Sequence, residues 1–166
     1  MDISEIISMA VSYDRGDPRR INHFMKVYAY ARFIGMEEQL SERELDILEA
    51  AAVLHDIGIH NAEKLHGSSD GKFQELEGPA AAADILSELG ADEEFIQRVC
   101  NMVGRHHTYH GIDSLPLQIL IEADFLVNIY EDNMSDSAVS SVKSRIFRTN
   151  SGLRLLEQIY EEKYTI

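Results

Sequence analysis

The stretch AAVLHDIGIH, residues 51–60, decides how this chain is read. Ala50 to Leu54 continue an apolar run that reads as the buried end of a helix. His55 and Asp56 then arrive side by side where the pattern calls for more core. An ionised carboxylate buried without a partner is costly, so the pair implies an opposite charge or a metal close by.

Working outward, the flanking segments punctuate as helices. Asp17 is placed to cap a helix that has Pro18 in its first position and Gly35 at its end. Ser41 and Glu44 stand at capping-box spacing ahead of the helix that leads into His55. Further helices are expected from Pro79 to a glycine stop at Gly90, from Asp92 through the histidine pair His106–His107, and from near Pro116 through Glu131. Two weaker ones follow at about 135–148 and 151–163. Nothing alternates apolar and polar residues long enough for a strand, so the fold class is all-α, with seven or eight helices. HNAEKLHGSSDGKFQELEG, residues 60–78, reads as one long irregular segment. Its portion from about Asn61 to Gln74 is expected to be mobile without substrate and to form one wall of a cleft. The chain, 1–166, reads as one domain, with its core at about 15–135 and C-terminal helices at about 135–163.

Composition narrows the function. Hydrophobic residues make up 45% and charged residues 27%, a globular balance. A net charge of -14 disfavours a nucleic-acid polymer or an anionic membrane as the main partner. It leaves room for a small anionic substrate, because a metal or a few arginines can reverse the field locally. Cys100 is the only cysteine, so no disulfide framework or thiolate zinc site is available, and it reads as a small core residue. The start, MDISEIISMAVSYD, lacks the basic region of a secretory signal, and no apolar run approaches bilayer length. A cytoplasmic location is the expectation.

Three helices each carry a metal-capable group on an apolar face. His23 shares its side with Val27, His55 and Asp56 close the next helix, and Asp124 interrupts the hydrophobic run LQILIEADFLVNIY between Leu120, Ile121 and Val127. Two imidazoles and two carboxylates can hold a divalent transition metal and leave positions for water and substrate.

A histidine, a histidine–aspartate pair in AAVLHDIG and a distant aspartate in EADFLVN, in this order, resemble the HD-domain superfamily of metal-dependent phosphohydrolases. The resemblance runs from about residue 15 to 135. It implies a helical bundle with a central metal site and His23, His55, Asp56 and Asp124 as ligands of one divalent cation (Mn, Fe, Co, Ni, Zn or Mg). It also implies Asp56 as the catalytic residue, with metal-activated water attacking a nucleotide or other small phosphoester. Members with two metals carry histidines where GRHHTYHG places His106 and His107. They have another near the start of the preceding helix, where this chain reads ELEGP. Glu77, with Glu75 behind it, is therefore the expected substitute in a second site with His106 and His107. Ile59 stands where some nucleotide-cleaving relatives have an acidic base and where the cyclic-dinucleotide branch has a lysine. A GYP motif is also absent, so both of those activities are disfavoured.

Phosphate chemistry needs basic groups around the transferred group. Arg20 and Arg19, three and four residues before His23, are the first candidates, and the family resemblance ranks Arg20 ahead. Lys26, Lys72 and Arg105 complete the set. His60, His66 and His110 read as loop residues, with His60 and His110 within reach of substrate. The expected partner is a small phosphorylated substrate, and a homodimer is left open. Two other readings stand beside the hydrolase: a di-iron oxygenase on the same scaffold and a non-catalytic metal- or nucleotide-binding module.

Overall fold

The computed structural model describes residues 1–161. Among them are nine α-helices and no strand: α1 Ile3–Tyr13, α2 Pro18–Glu37, α3 Glu42–Leu54, α4 Ile59–His66, α5 Gly71–Glu88, α6 Glu93–Val103, α7 Leu115–Glu131, α8 Asp136–Arg145 and α9 Asn150–Leu156. A π-helical turn, Glu157–Glu161, follows α9. The last two residues of the helix expected at 151–163 lie outside the described residues. No helix among those described is long and apolar enough to cross a membrane.

The caps behave as short-range chemistry dictates. Asp17 accepts from the Arg20 N–H at 3.1 Å with Pro18 in the first turn. Ser41 and Glu44 form a reciprocal capping box, and Asp92 caps α6 through the Phe95 N–H. Gly90, at φ 73°, stops α5 in the left-handed conformation that glycine adopts freely.

Two expectations fail for packing reasons. Gly35 does not end α2, which runs on to Glu37. A Cβ there would come within 2.9 Å of both Leu45 and Leu48, so the glycine serves a close helix contact and is no terminator. The segment 60–78 is not irregular either. It forms α4 and the first half of α5, placing Pro79 inside a helix instead of at its start. Ile59 and Ala62 bury one side of α4, and Gly67 in the left-handed region ends it. These buried contacts outweigh the polar composition of the segment.

α2 lies between α3 and α7, α3 also contacts α1 and α6, and α5 packs on α4 and α6. Phe24, Val27 and Ile34 of α2 meet Ile47, Leu48 and Leu54 of α3 and Leu120, Ile121 and Val127 of α7 in the core. The turn that follows His55 and Asp56 rests directly on α5. A Cβ on Gly58 would approach Gly78 N to 2.6 Å, and one on Gly78 would approach Val103 to 2.7 Å. This close stacking brings α5 and α6 up to the histidine–aspartate pair.

Midway along α7 the wholly buried Glu122 accepts from Gln118 Nε2 at 2.7 Å, Arg148 N at 2.6 Å, Thr149 N at 3.0 Å and the Thr149 hydroxyl. It thereby ties the start of α9 to α7. Glu122→Ala orphans these donors and is expected to cost about 2–3 kcal/mol. Thermal denaturation should show Tm lower by roughly 4–12 °C. An unchanged Tm would mean that water replaces the carboxylate without loss.

Candidate metal centre

His23 from the second turn of α2, His55 at the C-cap of α3, Asp56 just beyond it and Asp124 from α7 converge at one point. His23 Nε2 lies 3.2 Å from His55 Nε2 and 3.2 Å from Asp124 Oδ1. Asp56 Oδ2 is 3.5 Å from each of those imidazole nitrogens. His55 is fully buried and Asp124 nearly so, while Asp56 is partly open.

The outer nitrogens set the tautomers. His23 Nδ1 is 2.9 Å from Glu131 Oε2, His55 Nδ1 is 2.8 Å from Ala52 O and His106 Nδ1 is 2.8 Å from Val103 O. Each of these Nδ1–H groups donates outward, which turns an Nε2 lone pair inward in every case. Two such lone pairs 3.2 Å apart repel unless a proton or a cation lies between them. His106 Nε2 is buried and makes no hydrogen bond among the described residues. Ligand bonds of about 2.1 Å at tetrahedral or octahedral angles put neighbouring donor atoms about 3.0–3.4 Å apart, close to the spacing here. The residues fit a divalent cation.

A second group shares Asp56 with the first: Asp56, His106 and His107 also bring ligand atoms together. Asp56 Oδ1 lies 3.4 Å from His106 Nε2 while Oδ2 faces the first group, so the carboxylate sits between the two. Both histidines can face inward because α6 has already ended at Val103 and they lie on the turn beyond it. Glu77 does not join them. It points away to His66, with Oε1 2.8 Å from Nε2. The α5 group that does arrive is Gln74, which is buried, with Oε1 3.1 Å from His107 Nε2. Glu75 accepts from the His107 N–H at 2.9 Å and from the Thr108 hydroxyl, fixing this turn.

Charge in the metal-free cluster is carried by protons. Burial opposes a charged His23, but the Asp124 hydrogen bond and the charges of Asp56 and Asp124 outweigh it and push its pKa up to about 9. Burial also works to raise Asp56 and Asp124, and their histidine partners overcome it, holding both well below the usual carboxylate range. His107 is pushed down to about 4, first by burial and then by His106, and stays neutral.

A cavity of about 340 Å³ opens on the first group, with His23 and Asp56 in its wall. Ser69, Gln74 and Glu63 of the α4–α5 region form one side, so the expected wall is present but is built of helix and turn. Arg19 and Arg20 both reach the cavity. Arg20 is engaged by protein: it donates to Glu63 at 2.7 Å and to His60 Nδ1 at 2.7 Å, and His60 Nε2 in turn meets the buried Asp14 at 2.9 Å. Arg19 makes no ion pair or side-chain hydrogen bond among the described residues. Lys26 pairs with Glu131, Lys72 lies over the Phe73 ring, and Arg105 is held by Asp113 and the Gly111 carbonyl. None of these three lines the cavity. His110 is exposed, and His66, far from being a loop residue, closes α4 and stacks on Phe73.

Three residues of the site escaped the sequence reading. Glu131 orients His23, Asn128 donates to Asp124 Oδ1 at 2.9 Å, and Gln74 faces His107. For the first two a signal existed, since 124, 128 and 131 fall on one side of a helix. Glu131→Gln removes the carboxylate that holds the His23 ring, and outer partners of this kind typically contribute 10–100-fold to metal affinity. Competition with a chromophoric chelator should record a loss in that range. An unchanged Kd would show that His23 is held by packing alone.

The fold and cluster define an all-α protein built around a histidine–aspartate group able to hold a metal. The family profile for the HD domain matches residues 20–129. A solved structure, described as a predicted HD superfamily hydrolase from an uncultured Thermotogales bacterium, shares 28% identity at a TM-score of 0.68. The match covers 95% of this chain and 84% of that one. Curated proteins yield no match. The chain belongs to the HD-domain family.

Proposed function

We propose that the protein is a metal-dependent hydrolase that cleaves a small phosphate monoester. The observation that carries this reading is the juxtaposition, at one cavity, of the inward-facing histidines and aspartates with Arg19, which has no ion-pair partner among the described residues. His23, His55, Asp56 and Asp124 would hold a divalent cation, which when bound would supply a water acidified toward a pKa of about 7 and a Lewis acid for a phosphoryl oxygen. Arg19, one helical turn before His23 on α2, binds the phosphate dianion beside the cluster. Arg20, braced by Glu63 and His60, adds positive charge at the first turn of α2 without leaving its protein partners. Asp56 faces both halves of the cluster, and Asn128 and Glu131 hold Asp124 and His23 in register. In the overall reaction the water oxygen forms a new bond to phosphorus, the ester P–O bond breaks, and the alcohol leaves with a proton.

The test is phosphate release from a panel of phosphate esters after reconstitution with Mn, Co, Ni or Mg. Release that depends on the metal and falls in Arg19→Ala supports the reading. Iron-dependent oxygen uptake with no phosphate release would replace it with an oxygenase, and metal binding without either activity would leave a binding module.

A further inference from the structure

We infer that the substrate is a small polyhydroxylated monophosphate, a phosphorylated sugar or polyol, and not a nucleotide; this rests on the hydrolase reading above. The cavity shows it in three ways. First, its lining offers almost nothing for a flat base. Ile59 is the one apolar residue among those lining it, and no phenylalanine, tyrosine or tryptophan is there; the His23 imidazole is held between Glu131 and Asp124, whereas base recognition draws about 1–3 kcal/mol from stacking on an aromatic face. The nearby Tyr109 and Phe125 rings pack on each other, and neither lines this cavity.

Second, one helix face carries a row of hydroxyl-reading groups away from the cluster. Asp124, Asn128 and Asp132 recur every fourth residue at the C-terminal end of α7, and the latter two line the cavity. Asn128 gives its Nδ2 to Asp124, which leaves its Oδ1 free to accept. Asp132 is exposed, and its carboxylate has no side-chain partner among the described residues. Both therefore suit sugar hydroxyls as donors. At 1.5 Å per residue the row extends about 12 Å from the cluster, the length of a five- or six-carbon monophosphate. Ser69 lines the same cavity.

Third, the charge around the cavity favours a single phosphate. Asp17, Glu63, Glu131 and Asp132 surround the cavity against Arg19 and Arg20. A di- or triphosphate would bring its extra charge against these carboxylates, whereas neutral hydroxyls are welcomed by them.

The experiment compares pentose, hexose and polyol monophosphates with nucleoside mono-, di- and triphosphates and with p-nitrophenyl phosphate, using the Mn-reconstituted full chain. The best phosphosugar or polyol phosphate should exceed every nucleotide in kcat/KM by more than tenfold. Asp132→Ala removes an exposed side chain and poses no folding problem. It should raise the Kd of a non-hydrolysable phosphonate analogue of the preferred compound about tenfold by calorimetry, the loss expected for one hydrogen bond to a charged group. Nucleotides cleaved as well as or better than phosphosugars, with p-nitrophenyl phosphate also cleaved, would overturn the substrate class and leave the hydrolase reading intact. An unchanged Kd in Asp132→Ala would equally overturn it. Release from no compound, p-nitrophenyl phosphate included, would fell the hydrolase reading and this inference with it.

Discussion

Asp56→Ala is expected to bind no metal and to release phosphate at least about 10³-fold more slowly, equivalent to about 4 kcal/mol or more of transition-state stabilisation. The size of the effect follows from position. Oδ2 faces His23 and His55 while Oδ1 faces His106, so one substitution removes a donor from both halves of the cluster. His55 and Asp124 remain, buried and without the negative charge that balanced the imidazoles. Elemental analysis alongside phosphate release checks both parts. Full metal occupancy in this variant would falsify the assignment of the cluster. Asp56→Asn keeps the shape but lowers the charge, so it should retain the fold with weakened metal binding, separating coordination from mere packing.

Metal removal should produce the next largest effect, on stability. A ligand at about 1,000 times its Kd stabilises the folded state by about 4.1 kcal/mol. For a domain of this size that is roughly 8–16 °C in Tm between Mn-loaded and chelator-stripped protein. His55→Ala should show no such difference. The stripped protein should also acquire a pH dependence that the loaded one lacks. With its folded pKa up at about 9, above the ordinary histidine value of about 6.5, His23 contributes stability that is fully present below about 6.5. That stability is lost as pH rises toward 9. The stripped chain should therefore lose stability over that alkaline window, where bound metal takes the place of the proton. A Tm that does not move on stripping would mean that packing holds the cluster without a cation.

Much of this arrangement was legible in the sequence because it rests on local rules. An apolar face interrupted by His23, by His55 and Asp56 and by Asp124 announces buried polar groups, whatever the neighbouring helices do. Caps at Asp17, Ser41 and Asp92 depend on atoms three residues away and came out as expected. The same local rules misjudged Gly35, Pro79 and the segment 60–78. There composition suggested breaks, but a helix contact to Leu45 and Leu48, the close stacking of Gly58 on Gly78, and burial of Ile59 and Ala62 decided otherwise.

By itself, then, the sequence determined an all-α chain and the identity of four inward-facing groups, His23, His55, Asp56 and Asp124. Tertiary structure alone decided which partners they meet. The choice of Gln74 over Glu77 beside His107 depends on the rotation of α5, and these two residues differ by less than one helical turn. Among the described residues Arg19 has no side-chain partner while Arg20 is taken by Glu63 and His60, because α4 passes one of two adjacent side chains and not the other. Glu131 reaches His23 across 108 positions of sequence. Helical periodicity reports that a face is buried, but the atoms that cover it come from distant segments, and only packing sets their distances.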